Sequence, residues 1–154
     1  MVESFKLNEV LRMILETMLR ALRFRRVLFC LRDPRSDVIS GRFGLGEGVE
    51  AVMPHVRIAA GGTDLFALVC TKAADTLIRD ASAPHIAERL PAWFTRNVKA
   101  PSFLLLPLSI KGAPVGLIYA DTGQAGGIVL EDKELSLLRT LRNQAVMALR
   151  QQGG

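Results

Sequence analysis

Residues 103–121 read FLLLPLSIKGAPVGLIYAD and contain the pattern that decides the fold of this chain. Two apolar runs, residues 103–110 and 115–121, flank the tetrapeptide KGAP, whose glycine suits a tight hairpin turn. Neither run alternates apolar with polar residues, so the predicted strands are apolar on both faces. Because both faces must be shielded from water, we predict an antiparallel sheet that is covered by helices on each side.

Long amphipathic helices are predicted at the two ends of the chain. Between Leu7 and Leu22, apolar residues recur every three or four positions. A final helix opens at Glu131 and Asp132, where acidic residues suit the helix dipole, and keeps the same apolar spacing as far as Leu149. We expect these two helices to cover one face of the sheet.

Shorter elements between the hairpin and the first helix are expected to complete the sheet and to cover its other face. The expected elements are strands at residues 26–31, 38–43, 55–59 and 76–79, and short helices that begin after the N-cap Asp64 and at Pro84. Trp93 and Phe94 fall in a segment that the pattern does not assign. The predicted fold class is α+β, a three-layer α/β/α sandwich with a central antiparallel sheet of five or six strands, in a single domain over residues 1–154.

Three stretches are specific when they are taken in order: SFLLLPL at residues 102–108, KGAPVGLIYAD at residues 111–121, and a last helix that runs from EDKEL to NQA at residues 131–145. Together they resemble a GAF domain over nearly the whole chain. They are further similar to GAF domains that follow a HDOD domain in bacterial signalling proteins, and on that reading the chain is a fragment of a longer protein.

The resemblance implies a non-enzymatic regulatory module that binds a small molecule or forms dimers. It places the pocket on the sheet face opposite the two long helices. The family's cyclic-nucleotide signature is not found here. Neither Cys30 nor Cys70 is followed by the histidine of the bilin-binding members, so both ligand classes are disfavoured and the cofactor stays unknown.

We predict that the pocket walls come from the short helices and the sheet beneath them. The candidate wall residues are Phe43, Phe66, Ile78, Trp93, Phe94 and Tyr119. Three polar residues are candidates for orienting a ligand, namely Asp80, Ser82 and His85. An alternative is that the aromatic residues fill the core and leave no cavity.

The terminal helices predict a homodimer, because their apolar stripes are wider than one sheet face requires. The candidate interface residues are Leu7, Leu11, Ile14, Met18, Leu138, Leu141, Ala145 and Leu149. The alternative is that the two helices pair within one chain.

Composition fits one globular domain, with 49% hydrophobic and 23% charged residues in 154. The apolar runs fall far short of the roughly 18 residues that a membrane span needs. No signal peptide is visible, so we expect a cytoplasmic protein without a membrane partner. The net charge of +5 permits a second hypothesis, nucleic-acid binding. Its candidate residues are Arg20, Arg23, Arg25 and Arg26, whereas the other arginines are spread along the chain.

Catalysis and metal binding are not expected. Cys30 and Cys70 lie far apart in apolar segments, which predicts buried free thiols. The only histidines, His55 and His85, do not stand at metal-ligand spacing with them. Because a few proteins of the resembled family reduce free methionine sulfoxide with cysteines, a thiol-dependent reductase of this kind is a further alternative.

Overall fold

Six antiparallel strands form one sheet in the computed structural model, which describes the backbone of residues 2–153 and the side chains of residues 6–152. The strands are β1 (Arg26–Asp33), β2 (Val38–Gly46), β3 (Arg57–Ala59), β4 (Thr76–Ile78), β5 (Ser102–Ile110) and β6 (Ala113–Thr122). Their spatial order is β3-β2-β1-β6-β5-β4. The apolar hairpin is β5 and β6, and it lies in the inner part of the sheet. The predicted fold class and the upper estimate of the strand number are confirmed.

Within residues 2–153, five α-helices and two other helical turns accompany the sheet. The helices are α1 (Val2–Ala21), α2 (Val49–Val52), α3 (Leu65–Lys72), α4 (Pro84–Ala87) and α5 (Asp132–Gly153). A 3-10 turn spans Met53–His55, and a π-helical turn spans Phe94–Val98, where the sequence pattern assigned no element. Of the helices described, none combines the length and the apolar character needed to cross a membrane.

Both faces of the hairpin are covered, as its sequence predicts. Phe103 and Leu105 pack into one core, and Leu104 and Leu106 pack into a second core on the opposite face. Successive strand residues alternate between the two faces, and all four side chains are buried because both faces are covered. The sheet is therefore the middle layer of three.

One outer layer consists of α1 and α5, which pack on the sheet and contact each other. It contains six of the residues predicted for a dimer interface, each at most 7% exposed: Leu11, Ile14, Met18, Leu138, Leu141 and Ala145. Leu7 and Leu149 are half-buried against the same core. This placement corrects the assignment of these residues, because the sheet and the other terminal helix of the same chain cover their side chains.

The other outer layer is built from α2, the 3-10 turn, α3, α4 and the π-helical turn, which together we call the lid. The helix α3 begins as predicted at Asp64, whose carboxylate accepts the Ala67 N–H at 3.0 Å. Val52, Phe66, Val69 and other lid residues pack on the sheet face that carries Leu105 and Tyr119. Lid and sheet therefore share one apolar core.

A β-bulge in β2 changes which face its side chains reach. Phe29 pairs with Phe43, but the next residue, Cys30, pairs with Gly41, so that Arg42 is left without a partner in β1. The extra residue reverses the alternation, and Phe43 packs beside Phe29 on the α1–α5 face. Phe43 is therefore not a wall of a pocket under the lid, contrary to the prediction.

Candidate functional site

Five aromatic side chains meet between the lid and the sheet, and we call them the aromatic cluster: Phe66, Trp93, Phe94, Phe103 and Tyr119. Phe66 of α3 lies parallel to Phe103 of β5, with ring centroids 5.5 Å apart. Phe94 of the π-helical turn is closer still to Phe103, at 4.8 Å. Four of the five were predicted as pocket residues, and the structure brings them together.

The aromatic cluster fills its own space. A narrow cleft beside it is lined by Leu28, Val56, Phe66, Trp93, Val98, Leu117 and Tyr119. Within the described part of the chain this cleft leaves no volume for even one water molecule. The structure therefore shows the packed alternative, in which the rings complete the core.

An ion pair closes one end of this core. Asp121 of β6 and Arg26 of β1 are register partners at neighbouring strand ends, and their side chains are 0% and 8% exposed. Arg26 Nη2 donates to Asp121 Oδ2 at 2.7 Å and to the Val98 carbonyl at 3.3 Å. Tyr119 donates its hydroxyl to the same carboxylate at 2.6 Å, and Arg25 Nε donates to Oδ1 at 3.3 Å. We call these residues the buried ion-pair network, and it ties the π-helical turn of the lid to the sheet.

The network shifts the pKa values of Tyr119 and Arg26. Burial, followed by the charge of Asp121 and the hydrogen bond to it, raises the pKa of Tyr119 well above its usual 10.0. For Arg26, burial alone would lower the pKa, but the hydrogen bond and the charge of Asp121 outweigh it and raise the pKa. Tyr119 therefore stays a hydrogen-bond donor at neutral pH, and Arg26 stays a cation.

The remaining predicted pocket residues separate from the aromatic cluster. Ile78 is buried in the lid-side core, but Asp80, Ser82 and His85 are exposed. Asp80 Oδ1 accepts both the hydroxyl and the backbone N–H of Ser82, and these hydrogen bonds lower the pKa of the carboxyl group. Two of the three polar candidates thus satisfy each other in a surface turn.

Both cysteines are buried in the lid-side core. Burial and then the neighbouring Cys70 raise the pKa of the Cys30 thiol, and burial and then Asp64 raise the pKa of Cys70 to about 12. Neither group is a thiolate at neutral pH, which a reactive cysteine must be. Among the side chains of residues 6–152, no three His, Cys, Asp or Glu residues form a group that could hold a metal ion.

The arginine cluster that motivated the nucleic-acid hypothesis is divided by the fold. Arg25 and Arg26 are bound to Asp121, which leaves Arg20 and Arg23 exposed at the end of α1 and beyond it. The four arginines therefore do not form one basic surface.

Sequence reasoning missed Phe103, Val98 and the pairing of Arg26 with Asp121. The aromatic ring of Phe103 was read only as part of an apolar strand. A usable signal for the ion pair was present, since one apolar strand begins with Arg26 and another has Asp121 as its next-to-last residue. The register of β1 and β6 makes the two residues neighbours, and that register cannot be read from the sequence.

Comparison with known proteins identifies the class of this domain. The model of the GAF domain family matches residues 6–149, and the chain belongs to that family. No protein among the curated sequences matches it.

Solved structures with the same fold come from several kinds of protein. A fragment of a methyl-accepting chemotaxis protein, residues 122 to 287, is 21% identical with a TM-score of 0.75, over 94% of this chain and 89% of that one. A GAF domain/HD domain protein from Geobacter sulfurreducens is 14% identical with a TM-score of 0.76, over 94% and 92%. The free methionine-R-sulfoxide reductase from Neisseria meningitidis, solved with its substrate, is 19% identical with a TM-score of 0.65, over 94% and 88%. At these identities the likeness shows the fold. GAF domains are typical modules of signalling proteins.

Proposed function

We propose that this chain is a non-catalytic sensory module of a signalling protein, which binds a small organic ligand under the lid and forms a homodimer through α1 and α5. The observation that carries the ligand half is the aromatic cluster, which joins lid and sheet and ends at the buried ion-pair network. We place the module in the reducing cytoplasm, which free buried thiols suit, and next to an HDOD domain in a longer chain.

The lid is the part of the domain that can open at least cost. Its α2 and α4 helices have 4 residues each and its π-helical turn has 5, and none of these three segments has more than two buried residues of its own. Trp93 is half-buried at the cleft, whereas Phe66 and Phe103 are fully buried behind it. A ligand that displaces the Trp93 indole would reach the faces of those two rings. Tyr119 and the network then offer the polar end of the site.

A ligand screen that uses Trp93 tests this half of the proposal. Trp93 is the only tryptophan, so its fluorescence reports the lid without interference. We expect an amino acid, organic acid or nucleotide to change that fluorescence and to stabilise the fold by about 2.7 kcal/mol at a hundred times its Kd. Phe66→Leu should weaken the binding of the same compound. Phe43→Leu, on the opposite face of the sheet, should leave its affinity unchanged. If no compound of the three classes acts at millimolar concentration, the sensory half is wrong.

The dimer half rests on the outer surface of α1 and α5. Met13 is 65% exposed, Met147 is 59% exposed and Val10 is 36% exposed. Uncharged residues lie three, four or seven positions from these side chains and therefore on the same helix faces; they are Thr17 on α1 and Thr140, Gln144 and Gln151 on α5. In a chain with 23% charged residues, such a face suits a second copy of itself packed by two-fold symmetry.

Light scattering over a concentration series tests the dimer. We expect a dimer for the native chain and a monomer for Met13→Glu/Met147→Glu. Two-fold symmetry would bring each new charge into the interface from both copies, where it would be buried. The matched control is Asn8→Glu, which adds a charge to the side of α1 that faces β2. A native chain that stays monomeric at its highest soluble concentration contradicts this half.

The two alternative functions receive less support. A thiol-dependent reductase would need an accessible thiolate, but both thiols are buried and have raised pKa values. A nucleic-acid surface would need Arg26, which is buried, and Arg25, which is paired with Asp121. We therefore expect no methionine sulfoxide reduction, and no binding to nucleic acid at low salt.

A further inference from the structure

A second cavity lies outside the lid, at the edge of the sheet, and we call it the β4 groove. It encloses about 410 Å³ between β4, residues 126–130 and the first turns of α5. Its apolar lining includes Leu77, Leu104, Ile128, Leu130 and Leu135, and two guanidinium groups, those of Arg79 and Arg139, also line it. Leu104 belongs to the core on the α1–α5 side, so the groove is on the opposite face from the aromatic cluster.

The size and character of the groove suit a small molecule. Pockets for small ligands span about 300–1,000 Å³ and are mostly apolar with a few placed polar groups. The groove falls in this range at about 410 Å³, whereas the cleft under the lid has no room for water. It is therefore a ready site that needs no opening of the fold.

The charges at the groove favour an anion. The one carboxylate in its lining, that of Asp75, is bound by Arg142 Nη1 at 2.6 Å and Nη2 at 3.3 Å. Arg139 approaches the same carboxylate only to 3.5 Å, and its side chain is 53% exposed. Arg79 has no ion pair among the described side chains of residues 6–152. Arg142 thus neutralises Asp75, and the groove keeps two positive charges.

The backbone at this edge argues against an added peptide strand. β4 has 3 residues and pairs only with β5, which leaves its outer edge facing the groove. However, the Gly126 N–H donates to the Arg79 carbonyl at 2.8 Å, so the loop before α5 already occupies that edge where β4 ends. A strand would have to displace this loop, whereas a small molecule fits beside it.

We propose that the β4 groove binds a small organic carboxylate with an apolar body. The Arg79 guanidinium holds the carboxylate, with Arg139 as the second positive group, and the apolar body lies on Leu77, Leu104 and Leu135. This site is independent of the ligand proposed under the lid, and either can be wrong without the other.

Octanoate is the probe for the test, with acetate and octanamide as controls. Titration of the isotope-labelled full chain, followed by nuclear magnetic resonance, should give saturable shifts of the Leu77, Gly126 and Val129 amides. Acetate lacks the apolar body and octanamide lacks the charge, so each should bind at least about tenfold more weakly than octanoate. Saturation with shifts confined to residues 93–98, equal binding of octanamide, or no saturable binding at all would overturn the proposal.

A pair of variants locates the charge. Arg79→Gln keeps a polar side chain of similar length and should weaken octanoate binding about tenfold, the value of one charge-assisted hydrogen bond. Arg57→Gln is the matched control, because Arg57 is exposed on β3 at the opposite edge of the sheet. Its affinity for octanoate should equal that of the native chain. Equal affinity in Arg79→Gln, with unchanged thermal stability, would also overturn the assignment.

Discussion

Replacing Asp121 with asparagine tests whether the buried ion-pair network holds the domain together. The substitution preserves the shape of the side chain and removes its charge. Arg26, with a side chain 8% exposed, would then keep its charge in the core without a counterion. The Tyr119 hydroxyl, which donates to Asp121 Oδ2 at 2.6 Å, would face an amide in place of a carboxylate.

The expected loss follows from burial. Removing one partner of a buried ion pair costs about 3–5 kcal/mol, because the remaining charge is left desolvated. Domains of this size lose about 2–4 °C of Tm for each kcal/mol. We therefore expect Asp121→Asn to lower the Tm by about 6–20 °C. The same chemical change at the exposed pair of Asp37 and Arg32, Asp37→Asn, should cost less than about 1 kcal/mol.

Urea unfolding is the assay, with Trp93 fluorescence for the lid and far-UV circular dichroism for the whole fold. A triple variant, Arg26→Met/Tyr119→Phe/Asp121→Leu, separates loss of packing from a stranded charge. It removes the buried guanidinium, the hydroxyl and the carboxylate together, leaves only the partly exposed Arg25, and should regain most of the stability lost in Asp121→Asn. If Asp121→Asn costs no more than Asp37→Asn, or if the triple variant is less stable than Asp121→Asn, the reasoning is refuted.

Three further predictions concern packing, capping and pH. Gly116→Ala should cost about 1–3 kcal/mol of unfolding free energy in urea, since its Cβ would lie 2.5 Å from the Cys30 carbonyl oxygen; an unchanged midpoint contradicts this contact. Asp64→Ala should lower the free energy of unfolding by about 1 kcal/mol, because the α3 N-cap is lost; Asp64→Asn can still cap the helix and should retain most of that stability. The folded chain holds the Cys70 proton more tightly than the unfolded chain, with a pKa of about 12 against 9.0. This stabilisation is complete below pH 9.0 and is lost as the pH rises toward 12, by about 1.4 kcal/mol for each pH unit. Cys70→Ala should flatten the dependence measured by urea unfolding, and an equally steep curve in that variant would exclude the thiol as its source.

The layers of the fold were predictable from the sequence because they follow from periodicity. Residues 103–110 are apolar on both faces, so a layer must cover each face of the sheet. The apolar spacing in α1 and α5 identifies these helices as one of the two layers. The N-cap at Asp64 was also visible, since its residue type and the apolar run after it are local features. These predictions need no knowledge of which strands are neighbours.

Two features could not be predicted from the sequence: the register of the strands, and whether a sheet or a second chain covers an apolar helix face. One unpaired residue, Arg42, moves Phe43 to the opposite face, and no propensity distinguishes that position from its neighbours. The apolar stripe of α1 was assigned in part to a dimer, but helix periodicity does not say whether a sheet or a second chain covers it. Likewise, the aromatic residues of the site were found, while the absence of a cavity under the lid depends on how their rings pack.

The position of Arg26 and Asp121 in the chain gives their contact a wider reach than its own stability. Arg26 begins β1 soon after α1 ends, and Asp121 stands near the end of β6, the last strand before α5. Under the proposed function, a ligand that displaces the lid would pull the Val98 carbonyl from Arg26, and the segments that connect α1 to β1 and β6 to α5 would then shift together. Occupation of the core would in that case reach the exposed Met13 and Met147 through the terminal helices rather than through the sheet.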